Sequence, residues 1–283
     1  TPKNFVSVRP LKSVCSIGGS IMTASLPVTL IERKLGESAV IHGQRYWLDG
    51  HPLKTHTMNA LSAVFPIGER FFIDSLRAYE EKIQDPVLRQ EVKTFIAQEA
   101  HHTKEHVHLN KSLAAQGYDL EKLISHMRFK IDLVKRWRDP RSQLGFTVSV
   151  EHLTALLAHG LLGDPAFLEG ADEENKRIWR WHFSEEIEHK GVAFDVYMQN
   201  GGTYLHRCFV MIETSIFFSV DIFITVLKLL KQDRQLSNWK MWKSGLQFYW
   251  GKQGVFRRLA PYFFAFFKRN FHPWEHDNRY LIN

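Results

Sequence analysis

Two stretches of this chain carry the same four-residue pattern, Glu-x-x-His: Glu99 to His102 and Glu186 to His189. Both lie in runs with helical texture. On a helix, positions three, four and seven apart share a face, so each pattern aims a carboxylate and an imidazole in one direction. His106 extends the first face at i+7 from Glu99, and His182 opens the second, four residues before Glu186. A single Glu-x-x-His on a helix is common and usually solvated. Two copies in apolar surroundings ask for a shared role. Many of the 15 histidines also fall between positions 101 and 189, which points to metal.

A pair of metals needs more negative charge than two carboxylates supply. Glu69 stands in Phe65-Pro66-Ile67-Gly68-Glu69-Arg70-Phe71-Phe72, and Glu151 follows Val148-Ser149-Val150. A buried carboxylate without a partner is costly, and coordination would explain both acids. The register of two helical hairpins agrees. Glu69 lies 16 residues before Asp85 and Glu99 lies 14 after it; Glu151 lies 17 before Leu168 and Glu186 lies 18 after it. Glu69, Glu99, His102, Glu151, Glu186 and His189 are therefore expected to bind two metal ions. Two Glu-x-x-His units with one Glu from each of two further helices form the ligand set of ferritin-like dimetal carboxylate proteins.

The fold class expected is all-α: a ferritin-like four-helix bundle with extra helices and an irregular N-terminal segment. The texture becomes helical from about Asn59. Helices are expected over Pro66–Ile83, Pro86–Ala115, Leu120–Trp137, Ser142–Leu162 and Asp172–Met198, punctuated by Asp85-Pro86, Gly117, Asp139-Pro140, Gly163-Asp164-Pro165 and Asn200-Gly201-Gly202. The organisation expected is an irregular segment over 1–58, with β-prone runs at Phe5–Val8 and Val28–Ile31; the metal-binding bundle over 59–202; and apolar, aromatic, basic helices packed on it over 203–283.

Around the six ligands the sequence leaves choices. His106 and His182 are third nitrogen ligands, or catalytic groups that tune the metals or relay protons. Glu185, four residues before His189, rivals Glu186. His101, Glu105, His108 and Glu188 fall on other faces and are expected in water or behind the ligands. His152 and His159 read as packing residues, and Asp195 as an acceptor behind one imidazole, with an ordinary surface or capping role equally open.

Composition narrows the partners. With 44% hydrophobic residues the chain can bury a large core. A formal charge of +7 allows an anionic surface as partner, but no helix-turn-helix or finger motif is visible and nucleic acid is not expected. Only Cys15 and Cys208 occur, so thiolate zinc sites and disulfides are excluded as main themes, and the cytoplasm is the default compartment. No basic-then-apolar leader is visible. Phe209–Leu230 is strongly apolar but interrupted by Glu213 and Asp221, so it reads as a buried or surface-inserted helix rather than a membrane span. Interleaved aromatic and basic residues across 209–269 fit peripheral membrane contact, and a homodimer is compatible with the chain.

The segments Asn59–Phe72, Gln98–His106, Glu151–Ala155, Trp181–His189, Val192–Tyr197 and Phe271-His272-Pro273-Trp274 together resemble the bacterial family called predicted metal-dependent hydrolases, across about residues 50–275. The resemblance implies a metal-dependent enzyme and fixes no substrate. Ferritin-like sites of this composition typically activate dioxygen, so the first expectation is a di-iron oxidase or oxygenase acting on a small hydrophobic molecule, with Mn or Zn as alternatives to Fe. The apolar C-terminal third would supply its pocket or lid. The alternative is hydrolysis by a metal-activated water. A third is non-catalytic metal binding.

Overall fold

The computed structural model describes residues 30–33, 35 and 44–282. Among these the protein is all-α, with no strand. Its α-helices are α1 (Pro52–Arg77), α2 (Pro86–Ala115), α3 (Leu120–Trp137), α4 (Pro140–Leu162), α5 (Glu173–His189), α6 (Val192–Gln199), α7 (Tyr204–Gln232), α8 (Trp239–Trp250) and α9 (Val255–Ala265). Starts are set by short acidic caps. Asp85, Asp119, Asp139 and Asp172 each accept a backbone N–H of the first turn, and Pro86 and Pro140 open their helices where no amide donor is needed.

Two expectations are corrected here. The first helix begins at Pro52, not Pro66, and Pro66 lies inside it. A helix-interior proline has no N–H for the carbonyl four residues back, here that of Ser62. Asn110 on α2 donates its Nδ2 to that carbonyl at 2.9 Å, so the missing rung is filled from a neighbouring helix. The expected boundary near Asn59 therefore falls inside α1. The helix expected over Asp172–Met198 is broken after His189: Lys190 and Gly191 separate α5 from α6. A Cβ on Gly191 would sit 2.4 Å from Nε1 of Trp274, so the indole packs where only glycine leaves room. Lys190 holds the same break, its ammonium 4.2 Å over the Trp274 ring and donating to Asn278 Oδ1 at 2.6 Å. The run Phe5–Val8 lies outside the described residues, and Ile31 is in no strand.

α1 packs along α2 and α4 along α5, while α1 meets α4 and α2 meets α5. α7 covers α1 and α4, α3 bridges α1 and α7, and α9 lies on α4. The apolar interior forms two clusters. One is built round Met58, Phe65, Trp179 and Phe183, the other round Phe72, Phe95, Leu144 and Phe194. On α1 the chain passes from Phe65 in the first to Phe71 in the second, and Glu69 falls between them. Val148 and Leu156 bracket Glu151 on α4 in the same way. The acids thus occupy a polar seam between two apolar halves.

Candidate metal centre

Glu69 from α1, Glu99 and His102 from α2, Glu151 from α4, and His182, Glu186 and His189 from α5 meet on this seam, and all are buried. His189 Nδ1 lies 2.8 Å from Glu99 Oε1, 3.6 Å from Glu151 Oε2 and 3.9 Å from Glu186 Oε1. His102 Nδ1 lies 3.8 Å from Glu99 Oε2 and 3.6 Å from Glu186 Oε1. These are close approaches without hydrogen-bond alignment. Both Nδ1 atoms, both oxygens of Glu99 and of Glu151, Glu69 Oε1, Glu186 Oε2 and His182 Nε2 are buried and have no hydrogen-bond partner. Orphaned buried polar atoms are rare in a folded protein. Here they converge on one another, which is what a cation between them would require. Glu99, His102, Glu186 and His189 place one donor atom each within 4.8 Å of one another, as do Glu69, His102 and His182. The buried Glu/His site could thus hold two metal ions.

The imidazoles are set from behind, and crosswise. His102 Nε2 donates to Glu185 Oε2 at 3.0 Å, and His189 Nε2 donates to Gln98 Oε1 at 3.2 Å. Gln98 immediately precedes Glu99, and Glu185 immediately precedes Glu186. Each pattern is therefore a five-residue unit whose first side chain holds the histidine of the other. With one proton fixed on Nε2, Nδ1 is the nitrogen each ring turns to the seam, and it is the Nδ1 proton that an entering cation would displace. The two holders are anchored in turn. Glu185 Oε1 accepts the Arg33 backbone N–H at 2.8 Å, and Gln98 Nε2 donates to Glu188 Oε2 at 3.3 Å and to the Ile31 carbonyl at 3.2 Å. The Arg33 guanidinium closes on Glu188 at 2.7 Å, and Trp181 Nε1 donates to the Arg33 carbonyl at 2.8 Å.

His106 and His182 form a second chain whose tautomers follow from Pro66. Because Asn110 gives its Nδ2 to the freed Ser62 carbonyl, its Oδ1 is the atom that accepts the Ser62 hydroxyl at 3.1 Å. Ser62 Oγ then accepts from His106 Nδ1 at 3.0 Å, leaving His106 Nε2 to accept from His182 Nδ1 at 3.1 Å. His182 Nε2 is left as a lone pair on the seam, 3.3 Å from Glu186 Oε1. Phe65 stacks on the His182 ring at 5.0 Å and meets His106 edge-on at 4.9 Å.

Electrostatics agrees with a centre built for added positive charge. Burial, then the neighbouring Glu99 charge, holds the Glu69 carboxyl well above the usual carboxylate range, and burial with Glu186 pushes Glu151 up to about 8. Burial works against charge on Glu99 too, but His102 and His189 outweigh it and hold that carboxyl at about 2. His102 is held at about 10 by Glu185 and Glu99 against its burial, while burial and the His102 charge push His106 down to about 3. Without metal, protons on acids and imidazoles balance the seam, and cations entering it must displace them.

Over residues 34–277 the chain matches the family model described as predicted metal-dependent hydrolase. It belongs to that family. No curated protein and no solved structure matches the chain. Within the family's span lies Phe271-His272-Pro273-Trp274, for which sequence offered no role. In addition to Trp274 on Gly191, His272 Nε2 donates to Asp195 Oδ1 at 3.0 Å. Asp195 is thus tied to His272 rather than standing behind an imidazole of the seam. Glu185 holds His102 instead of joining the donor groups. Glu105 and Glu188, on faces expected to be solvated or behind the ligands, are buried, and His152 and His159 pack on Phe266 and Tyr262 at 4.8 and 4.9 Å. Sequence reasoning passed over Gln98, Arg33, Ser62, Asn110 and Thr103, whose hydroxyl donates to Glu69 Oε2 at 2.8 Å. Only Gln98 carried a signal: the acid or amide before the glutamate recurs in both patterns.

Proposed function

We propose that this protein is a two-metal hydrolase in which Glu69, Glu99, Glu151, Glu186, His102 and His189 hold the ions, with His182 beside them. The observation that carries the metal centre is the set of unpartnered lone pairs meeting on the buried seam. Two cations there would activate a water and polarise the bond it attacks. The chain's own part is to present both Nδ1 lone pairs, through Glu185 and Gln98, and to keep bulk water out with Phe65 and the two apolar clusters. His182 is held neutral by burial and by the charge of His102, and its bond to His106, in turn bonded to Ser62, turns its Nε2 lone pair to the seam. The hydrolytic reading is supported by the family's description.

The donor set favours a second reading. Four carboxylates and two or three imidazoles delivered by four helices suit iron or manganese and resemble sites that activate dioxygen. One experiment separates the two. Purified protein is analysed for metal, stripped, and reloaded with zinc, manganese or ferrous iron. Each form is then assayed for ester and amide cleavage without dioxygen, and for dioxygen uptake. Anaerobic cleavage by the zinc or manganese form supports hydrolysis. Dioxygen uptake by the ferrous form alone transfers the assignment to oxidation. Failure to bind about two metals per chain overturns both.

A further inference from the structure

A cavity of about 560 Å³ lies between α1, α3, α4 and α7. That is within the range of about 300–1,000 Å³ common for small-molecule sites. Its inner wall is Phe65, Gly68, Phe72 and Val150. Gly68 and Val150 are the chain neighbours of Glu69 and Glu151, and Phe65 is the ring stacked on His182. The cavity therefore ends one side chain away from the metal seam. Its walls are almost wholly apolar. Thr214, 4% exposed, offers one hydroxyl there without a hydrogen-bond partner, and Glu213 Oε2 is a second buried, unpartnered oxygen among the lining residues.

The mouth opens on an unusual surface. On α3, Phe129 and Trp137 are 64% and 72% exposed and line the cavity's edge with Leu133, one helical stripe. Of the six Lys and Arg between Leu120 and Arg138, Arg128, Lys130, Lys135 and Arg138 pair with Glu121, Asp221, Asp74 and Glu213, and Lys122 and Arg136 add positive charge to this face. Alongside runs α7, the one helix among the described residues long and apolar enough to cross a membrane, yet only 33% of its most apolar window is buried. Leu205, Phe209, Ile212, Ile216, Val220 and Phe223 are all exposed and fall on one side of the helix, a stripe of roughly 27 Å at 1.5 Å per residue. The mid-helix acids that argued against a span turn aside to α3: Glu213 pairs with Arg138, and Asp221 with Lys130. A long exposed apolar stripe bordered by the cations Lys122 and Arg136 is the kind of surface that rests on anionic lipid.

We propose that this cavity receives the apolar chain of a lipid, and that the α3/α7 face around its mouth lies on an anionic lipid surface from which that chain enters. The binding step needs no metal. Only the further statement that the chain is the substrate rests on the two-metal reading.

The test uses the full protein in chelator, so a failed metal assignment leaves it intact. Sedimentation with phosphatidylglycerol-containing vesicles should carry the protein down, and about tenfold less should follow pure phosphatidylcholine vesicles. Ile212→Glu with Ile216→Glu should lower vesicle binding by about tenfold or more at unchanged helicity. A fluorescent polyene fatty acid should bind the parent protein, and Gly68→Phe should block it while vesicle binding persists. Thr214→Trp, from the opposite wall, repeats this arm should Gly68→Phe misfold. The proposal falls if the fatty acid does not bind, or binds both wall variants as well as the parent. It also falls if light scattering shows a dimer that the Glu pair splits with no vesicle binding in either form. Retention of vesicle-bound protein through alkaline carbonate would mean a span, and would overturn surface docking.

Discussion

Glu185→Gln exchanges one oxygen for an NH2 group and tests the crosswise arrangement directly. Glu185 accepts twice, from His102 Nε2 at 3.0 Å and from the Arg33 backbone N–H at 2.8 Å, in a buried setting. A glutamine has one acceptor oxygen, so one of those donors must face an NH2. If it is Arg33, a part-buried N–H loses its partner, a loss of about 1–3 kcal/mol. If it is His102, the imidazole must move its proton to Nδ1, which closes the lone pair on the seam. Replacing a group that orients a metal ligand typically weakens binding by about 10–100-fold, or about 1.4–2.7 kcal/mol. The measurement is competition for zinc or manganese against a fluorescent chelator at fixed pH, with circular dichroism to check folding. An affinity within about twofold of the parent together with an unchanged urea midpoint would refute the reasoning, because neither donor would then depend on the second oxygen of Glu185.

Four further outcomes follow from the same geometry. Metal at a hundredfold above its dissociation constant should stabilise the fold by about 2.7 kcal/mol per site, raising Tm by roughly 5 °C for each at this chain length; scanning calorimetry with and without chelator checks it, and an unmoved Tm would count against the centre. Metal uptake should release protons, seen as a dependence of the calorimetric heat on the buffer's ionisation enthalpy, since protons balance the empty seam. Asn110→Ala should cost about 1–3 kcal/mol in urea unfolding, because it strands the Ser62 carbonyl freed by Pro66. Asp233 accepts from His56 at 2.9 Å and from Tyr118 at 2.8 Å, and also pairs with Arg45; although burial opposes its charge, these partners hold its carboxyl well below the usual range. A depressed acid stabilises above its unfolded value and loses that contribution as pH falls towards its folded one, so Asp233→Asn should flatten the loss of urea midpoint as pH falls from about 5 towards 2.

Helical periodicity made the donor faces readable, since spacing on a helix alone decides which side chains point together. It could not tell which of two adjacent acids faces the seam. Glu185 and Glu186 differ by a rotation whose outcome depends on where α2 sits. A local rule allows Pro66 to start a helix, whereas Asn110, distant in sequence, makes it tolerable inside one. The break at Gly191 was hidden for a similar reason. Val192–Tyr197 is as helix-compatible as the residues before it, and the indole of Trp274, far along the chain, packs at the break. Arg33 lies in a run with no pattern at all, so its place behind both imidazoles had no sequence signal.

The two holders differ in charge, and this bears on how the centre fills. A carboxylate behind an imidazole makes its other nitrogen a stronger donor, whereas an amide does little. Glu185 thus sets a charged acceptor behind His102 and Gln98 a neutral one behind His189, whose imidazole is instead held well above its usual value, against burial, by Glu151 and Glu99. The amide cannot simply be exchanged for an acid, because Gln98 gives its N–H groups to Glu188 and the Ile31 carbonyl, where a second carboxylate would be repelled. His102 belongs to both donor groups, so the charge of Glu185 bears on both of them. Gln98, by contrast, reaches only the group that contains His189, so exchanging it should disturb one position where exchanging Glu185 disturbs two.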